Sequence, residues 1–480
     1  FNVSILLYFK YCNFFLDNFN VLLDALGVQS ISFTRIVLPI GISFFVFHEL
    51  SYIIDVYRRV KPPMYDIVNY ALYIFLFPQL IAGPIIRFNE IADQINNRKF
   101  QDTIDNRLIG FFRFAIGLAK KVLIANVLGV QADNIFNLPY EELDTSTAWM
   151  GALCYTFQIY FDFSGYSDMA IGLAKIMGFR FPENFNFPYV SQNITEFWRR
   201  WHISLSRWMR DYLYIPLGGN KVSVLRMYFN LCFVFLISGF WHGAEWTFII
   251  WGAFHGLFLV LDRVFLIKLF SHIGKVPRVA ITFFIVVIGW VFFRAGTVDQ
   301  ALHFLNRMFV YNDSINGIEA SPKLILAFCM AVFFSFLAFI PSIESLPEKI
   351  FSPYSKTWKY AIGSLVAGMT GYNDATGVPD LTVGVNGVVN SLGQAGDWDN
   401  GQFIIPDGPF CNKPDEGTRR HQSDPFAPYI GSDYIHQDWN LQQTTFFSPN
   451  RMIPSAVMFG SLPTGVKSNK PWQTLLFRPA

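Results

Sequence analysis

The sequence predicts an all-α polytopic membrane protein followed by a loop-rich soluble tail. Of the 480 residues, 52% are hydrophobic and only 15% are charged, whereas soluble proteins are usually about a quarter charged. The apolar residues gather in long runs, and a run of about 20 residues crosses a ~30 Å hydrocarbon layer as a helix. Because backbone groups in lipid must be hydrogen-bonded internally, these runs predict helices and not barrel strands.

Seven or eight membrane spans are predicted along the chain. Residues 1–28 are apolar but carry Lys10, Asp17 and Asp24, which is typical of an interfacial or partial segment. The predicted spans follow at about residues 36–54, 68–86, 107–130, 147–173, 224–241, 246–268, 277–294 and 323–341. Basic residues crowd the loops near 58–61 and 190–222, which predicts that both loops are cytoplasmic.

Composition and spacing exclude two classes of site. The net charge of +2 is too small for a nucleic-acid partner, which needs a clustered basic face. No metal site is expected, because His202, His242 and His255 do not have the spacing of a local ligand set, and HELSY at 48–52 lacks the second histidine of a zinc motif. We also expect no tightly bound cofactor.

A basic and aromatic segment over residues 196–220 allows two interpretations. Its tryptophans are Trp198, Trp201 and Trp208. Tryptophan prefers the headgroup level of a membrane, so the commoner interpretation is a cytoplasmic loop with an aromatic belt. Arginine also binds phosphate, so the segment can instead contact the acidic head of an acyl donor. The candidate donor-binding residues are Arg199, Arg200 and Arg207.

His242 and His255 lie in otherwise lipid-compatible sequence. An ionisable residue at membrane depth is costly, which makes each a candidate functional residue. The alternative is a neutral histidine bonded to a neighbouring helix. On one continuous helix the two side chains would lie about 140° apart and face different neighbours. Asp162 and Asp168 lie among Phe and Tyr, where acids can line a polar cavity, but we expect them instead to pair with basic residues or to cap helix ends.

Three long segments occur in the order found in one family of membrane enzymes. They are YFDFSGYSDMAIGLAKIMGFRFPENFNFPY at 160–189, FWRRWHISLSRWMRDYLYIPLGGN at 197–220 and SGFWHGAEWTFIIWGAFHG at 238–256. The chain resembles the membrane-bound O-acyltransferase (MBOAT) family over about residues 1–368, most closely its alginate O-acetyltransferase-like branch. The resemblance implies an MBOAT-type helical bundle with a re-entrant or interfacial helical segment.

The resemblance also implies the site residues. It places the catalytic histidine at His242, and the second polar position, about 40 residues upstream, at His202. A neutral imidazole at His242 would accept the proton of an attacking hydroxyl group. His202 would orient the acceptor or the donor, or stabilise the oxyanion that develops on the acyl carbon.

The function implied by the resemblance is acetyl transfer across the bacterial inner membrane. The donor would be cytoplasmic acetyl-CoA or another acyl donor, and the product an O-acetylated exopolysaccharide such as alginate, completed with a periplasmic acetyltransferase partner protein. A transporter or channel is the main alternative, and a scaffold subunit of a polysaccharide secretion complex is another. An inverted internal repeat would favour the transporter, and the sequence has none that we detect.

The character of the sequence changes at about residue 370. From 371 to 480 there are 7 Lys+Arg against 10 Asp+Glu, and Gly, Pro and Asn become frequent. This predicts an acyltransferase domain over 1–369, with truncated first and last helices, and a hydrophilic tail over 370–480. The tail would be a fused accessory domain or the product of joining two unrelated reading frames.

Overall fold

The computed structural model describes residues 1–39, 41–80, 83–98, 102–311 and 321–339, together with four short strands towards the C-terminus. The chain divides into two compact units, Phe1–Ile362 and Gly363–Ala480. The described part of the first unit is helical, which confirms the all-α prediction. In the second, β1 (His436–Asp438) pairs antiparallel with β2 (Gln443–Thr445), and β3 (Pro463–Gly465) with β4 (Lys470–Thr474). The predicted loop-rich character of the remaining tail lies outside the described residues.

The first unit contains the following α-helices over its described residues: α1 (Asn2–Leu6), α2 (Cys12–Ala25), α3 (Ile42–Tyr57), α4 (Ile67–Phe75), α5 (Phe88–Asn96), α6 (Ile104–Ala119), α7 (Asn126–Phe136), α8 (Thr145–Ile176), α9 (Ile194–Arg200), α10 (Ile203–Met209), α11 (Val224–His242), α12 (Trp246–Leu261), α13 (Ile267–Phe270), α14 (Lys275–Arg294), α15 (Val298–Phe309) and α16 (Pro322–Phe336). Turns of π-helix at Leu7–Tyr11, Lys120–Ala125, Arg210–Tyr214 and Asp262–Leu266 connect or extend several of them.

Four of the predicted spans are helices long and apolar enough to cross a membrane. They are Val224–His242, Trp246–Phe270, Lys275–Arg294 and Pro322–Phe339. Each agrees with its predicted span to within a few residues, because an uninterrupted apolar run of this length leaves little freedom in where a helix begins and ends. These four helices lie within residues 224–339.

The predicted span at 68–86 is wrong. α4 has nine residues and ends at Phe75, and a short 3₁₀ turn over Phe77–Gln79 follows it. Pro78 has no N–H group to continue the helical hydrogen-bond pattern. Nine residues of α-helix cover only about 14 Å, roughly half of the hydrocarbon layer.

The longest described helix, α8, is the 32-residue helix that carries the two acidic residues of the aromatic run. Asp162 pairs with Lys121. Asp168 is buried and pairs with Arg113 at 2.8 Å and with Lys120 at 2.6 Å. The prediction that both carboxylates pair with basic residues is confirmed, and the partners come from α6 and the π-helical turn that follows it.

α6 and α8 approach each other through glycines. A Cβ atom on Gly165 would lie 2.7 Å from the backbone oxygen of Gly117, and one on Gly172 would lie 2.5 Å from the backbone oxygen of Gly110. Such distances leave no room for any side chain. Small residues let helix backbones touch directly inside an apolar bundle, where van der Waals packing holds helices together.

The basic and aromatic segment folds back into the protein. Trp198, Trp201 and Trp208 have relative exposures of only 8%, 3% and 6%, so the interpretation as a lipid-facing aromatic belt is wrong. Trp208 stacks on Phe47, with ring centroids 4.0 Å apart, and Phe47 in turn stacks on Trp241 at 4.9 Å. The segment therefore packs against Phe47 of α3, and Phe47 connects it to Trp241, the neighbour of His242 in α11. The segment contains the short helices α9 and α10, and its re-entrant or interfacial placement stays a prediction.

The glycine contact between α6 and α8 generates a prediction for stability. Gly165→Ala should lower the free energy of unfolding by about 1–3 kcal/mol, because its methyl group meets the rigid backbone of Gly117. Gly129→Ala is the matched control, since its Cβ would lie at an ordinary 3.4 Å from the Gln158 side chain. Thermal unfolding of both variants in detergent measures the difference, and equal stability of the two would contradict a backbone contact at Gly165.

Candidate active site

A cavity of about 500 Å³ brings His202 and His242 together in the first unit. The residues that line it are spread along the chain from Lys10 to Arg294. Aromatic side chains form one part of the lining, namely Trp201, Trp241, Trp251, Trp290 and Phe293. Charged side chains form another part, namely Lys10, Asp133, Asp162 and Arg294. The cavity therefore combines an apolar wall with a few charged groups, as small-molecule sites commonly do.

His242 is the last residue of α11 and lies among aromatic rings. Its ring centroid is 4.9 Å from that of Trp241 and 5.2 Å from those of Trp251 and Phe293. The helix ends here because Gly243 adopts an extended conformation, with φ −162° and ψ 149°. The end of a helix thus delivers the imidazole into the cavity, where packed rings fix its orientation.

His202 precedes α10 and has a left-handed backbone, with φ 44°. Such a conformation costs a non-glycine residue on the order of 1 kcal/mol. Two backbone hydrogen bonds hold it: Ile203 N–H donates to the Asn184 carbonyl at 2.9 Å, and Ser206 N–H donates to the His202 carbonyl at 3.1 Å. Burial, followed by the nearby His242, lowers the pKa of His202 well below its ordinary value. Its imidazole is therefore neutral near pH 7.

His255 occupies a different place from His242. The two lie on separate helices, α12 and α11, so the single continuous helix considered from the sequence does not exist. The described residues that line the cavity do not include His255. It is buried, and its Nδ1 accepts a hydrogen bond from Trp198 Nε1 at 3.4 Å. These contacts favour the alternative of a neutral histidine bonded to a neighbouring helix.

The three arginines predicted to contact the acyl donor lie outside the cavity lining. Arg199 and Arg207 are exposed, and Arg200 pairs with Glu196 at 2.9 Å. All three belong to α9 or α10, the helices that flank His202. Their contact with an acyl donor stays a prediction.

Lys10 is a cavity residue that the sequence did not indicate as part of the site. Its ammonium group donates to the carbonyl oxygen of Trp241 and to Ser43 Oγ, the latter at 3.0 Å. It also lies 5.4 Å from the centre of the Trp241 ring. Lys10 thereby ties the first helices to the last turn of α11, which carries His242. In the sequence, the feature that could have indicated Lys10 as a site residue is its charge within an apolar run.

Two ion pairs supply the other charges of the cavity. Arg294 pairs with Asp133 at 2.6 Å, and Asp162 pairs with Lys121. Within the described part of the chain, no group of three or more His, Cys, Asp or Glu side chains is arranged to hold a metal ion. What the site offers chemically is a pair of imidazoles that face one chamber.

An apolar helical bundle that encloses a chamber lined by two histidines defines a polytopic membrane protein with an internal polar site. The chain belongs to the membrane-bound O-acyltransferase family, whose sequence model matches residues 25–297. The matched range includes both His202 and His242 and ends before the predicted tail. The resemblance seen in the three segments is thereby confirmed.

Individual relatives are also similar over much of the chain. The chain is 47% identical over 347 residues to the probable alginate O-acetylase AlgI of Pseudomonas aeruginosa, covering 70% of this chain and 66% of that protein. It is 45% identical over 356 residues to the probable alginate O-acetylase AlgI of Pseudomonas putida, covering 72% of each. It is 42% identical over 346 residues to the peptidoglycan O-acetyltransferase of Helicobacter pylori, covering 66% of this chain and 64% of that protein. The matches thus span about two thirds of each relative's length.

The Lys10 contacts generate a prediction for stability. Lys10→Met should lower the free energy of unfolding by about 1–3 kcal/mol, because the Trp241 carbonyl and Ser43 lose a charged hydrogen-bond donor. Lys10→Arg keeps a donor and should recover part of the loss. Thermal unfolding in detergent measures both variants.

Arg35→Met is the control for loss of a cation in the same region. Arg35 pairs with Asp17 at the surface, where their side chains are 71% and 43% exposed, so this variant should change stability by no more than about 0.5 kcal/mol. A loss in Lys10→Met no larger than that in Arg35→Met would contradict the tie between Lys10 and α11.

Proposed function

We propose that the protein is an O-acetyltransferase that moves an acetyl group from a cytoplasmic acyl donor across the bacterial inner membrane, for O-acetylation of an exopolysaccharide such as alginate. The observation that carries the proposal is the cavity shared by His202 and His242. The relatives named alginate O-acetylase and peptidoglycan O-acetyltransferase support a polysaccharide as the final acceptor.

His242 is the proposed proton acceptor of the reaction. Its neutral imidazole takes the proton of a hydroxyl group as the hydroxyl oxygen attacks the carbonyl carbon of an acetyl thioester. The new C–O ester bond forms, the C–S bond breaks, and the imidazolium returns the proton to the leaving thiolate. The acetyl group is transferred with no change of oxidation state, and the histidine ends as it began. No metal ion is needed in this sequence of steps.

The lining of the cavity suits this chemistry. A volume of about 500 Å³ lies within the range of roughly 300–1,000 Å³ typical of small-molecule sites. The tryptophans around His242 keep the reacting thioester away from water, which would otherwise compete with the hydroxyl group. The charged residues Lys10, Asp133 and Arg294 give the chamber a polar part for the hydroxyl acceptor.

The donor is proposed to be acetyl-CoA or a related thioester that arrives from the cytoplasm. Exposed guanidinium groups bind phosphate well, and Arg199 and Arg207 are exposed on the helices next to His202. We propose that these two, with Arg200, receive the phosphates of the donor while its thioester reaches the cavity.

The proposed activity resides in residues 1–369, and the tail over 370–480 is proposed to be a separate part. The division of the chain into units at Ile362 and Gly363 supports this boundary. The acceptor would be the polysaccharide itself or a periplasmic acetyltransferase partner protein that completes the esterification.

The test is acetyl transfer by the purified full chain in lipid nanodiscs, with radiolabelled acetyl-CoA, a polysaccharide acceptor and the periplasmic partner. His242→Ala should lower the rate by at least 10²-fold, because general-base catalysis contributes about 10²–10⁴-fold. His255→Phe is the matched control: it removes a second buried imidazole outside the cavity and should retain most of the activity per folded molecule.

Two results would count against the proposal. Undiminished transfer by His242→Ala would exclude His242 as the proton acceptor. Passage of intact donor or polysaccharide across the membrane, with no acetyl ester formed by the wild type, would favour a transporter.

A further inference from the structure

Asn184 lies behind His202 and contacts its ring through the side chain, while the Asn184 carbonyl accepts a hydrogen bond from the next residue, Ile203. It is 1% exposed, and its Oδ1 is 3.0 Å from His202 Nδ1. The same oxygen accepts hydrogen bonds from Ser204 N at 3.2 Å and from Ser204 Oγ at 2.8 Å. The amide nitrogen Nδ2 of Asn184 donates to Ser167 Oγ on α8 at 3.0 Å. Every polar atom of this buried side chain is therefore engaged.

These contacts identify the side-chain atoms of Asn184. A backbone N–H group can only donate a hydrogen bond, so the Asn184 atom that faces Ser204 N must be the carbonyl oxygen. A carbonyl oxygen can only accept. The His202 nitrogen that faces the same oxygen must then carry a hydrogen, which makes Nδ1 the protonated nitrogen of the ring.

We infer that Asn184 is a positioning residue that holds His202 as the Nδ1–H tautomer, so that Nε2 meets the substrate as a hydrogen-bond acceptor. The inference rests on the proposed function. The sequence left two roles open for His202, which were to orient a substrate or to stabilise the oxyanion. The inference favours the first, because an unprotonated Nε2 accepts a hydrogen bond from an O–H, N–H or S–H group. It does not donate one to the oxyanion on the acyl carbon.

The energetic argument favours this tautomer strongly. With the hydrogen on Nε2, the lone pair of Nδ1 would face the lone pairs of Asn184 Oδ1 in a buried site, and Nδ1 would have no donor there. An unsatisfied buried polar group costs about 1–3 kcal/mol. The left-handed backbone of His202 is held by the Asn184 main chain, so one residue fixes both the ring's direction and its protonation pattern.

The charged groups that share the cavity with His202 are Lys10, which donates to Ser43 and to the Trp241 carbonyl, and two ion pairs. His242 shares the cavity, and so do Lys10, Tyr155 and the acids Asp133 and Asp162, which pair with Arg294 and Lys121. Behind Asn184, Glu183 is its neighbour in sequence and Asp168 is the neighbour of Ser167, and both acids pair with Arg113. A carboxylate introduced at position 184 would therefore act chiefly on His202, the one titratable side chain among its hydrogen-bond partners in the described residues.

The test is the pH dependence of acetyl transfer by Asn184→Asp in the full chain. The three donors that face Oδ1 hold the new carboxylate in its charged form, and the carboxylate raises the pKa of His202 by stabilising the imidazolium. If Nε2 must accept a hydrogen bond, the variant needs a higher pH to keep His202 neutral. In the variant, His202 should then set an acidic limb of log kcat/KM that lies at a higher pH than the acidic limb of the wild type.

Asn184→Leu and Ser167→Ala separate positioning from stability. Asn184→Leu has a similar volume and no acceptor, and kcat/KM should fall by about 10- to 100-fold. Asn184→Asp, which keeps the acceptor, should recover much of that loss above the shifted limb. Ser167→Ala leaves Asn184 Nδ2 without its hydroxyl partner but spares the bond to His202. It should lower the unfolding temperature and leave the pH profile in place.

Two outcomes would overturn the inference. One is an Asn184→Asp profile that coincides with the wild type. The other is a rise in activity near pH 7, which is expected if a charged His202 donates to the oxyanion. Failure of the proposed function looks different: either the wild type forms no acetyl ester, or His242→Ala is as active as the wild type. An active wild type, an inactive His242→Ala and an unshifted Asn184→Asp would reject the role of Asn184 alone.

Discussion

The backbone contact between α6 and α8 is the constraint on which much of the site depends. Where Gly117 faces Gly165, the two helices come as close as their main chains permit. This closeness lets Lys120 and Lys121 reach the acids of α8. It also fixes the face of α8 that carries Tyr155, Gln158, Asp162 and Phe163 into the cavity. The glycines at the contact between α6 and α8 therefore help to position the wall of the cavity that α8 forms.

Hydrophobic pattern alone was enough to predict the four membrane-crossing helices. In these segments the apolar runs are long, and the predicted bounds agree with the structure to within a few residues. The same reasoning failed at 68–86, where the apolar run continues but the helix ends before Pro78. Hydropathy measures affinity for lipid, and it is insensitive to the loss of a single backbone donor.

Some residues of the site could be predicted from the sequence and others could not. His202 and His242 were identified from a family resemblance, and the cavity contains both. Lys10, Asp133 and Arg294 were not identified, because their place in the cavity depends on contacts between residues far apart in sequence. The tryptophans of α9 and α10 were expected at the lipid headgroups. Their burial depends on how the segment folds back, which composition does not specify.

Asn184 illustrates why polar interiors are hard to infer from sequence. It lies in a loop of unremarkable composition, and its role arises only when residues 200–204 come alongside it. In an apolar interior each polar atom must find a partner within the protein. Hence a single asparagine can determine which nitrogen of a distant histidine bears the hydrogen, although no local pattern marks it.

The bond from Lys10 to the Trp241 carbonyl has a consequence for biosynthesis. The two residues are 231 positions apart, and ribosomes add about 5–20 residues per second. Lys10 is therefore made roughly 10–50 s before its partner exists. During that interval its ammonium group must remain solvated at the membrane surface or borrow another acceptor. The first helices thus make this bond only after α11 has been synthesised, when about half of the 480-residue chain exists.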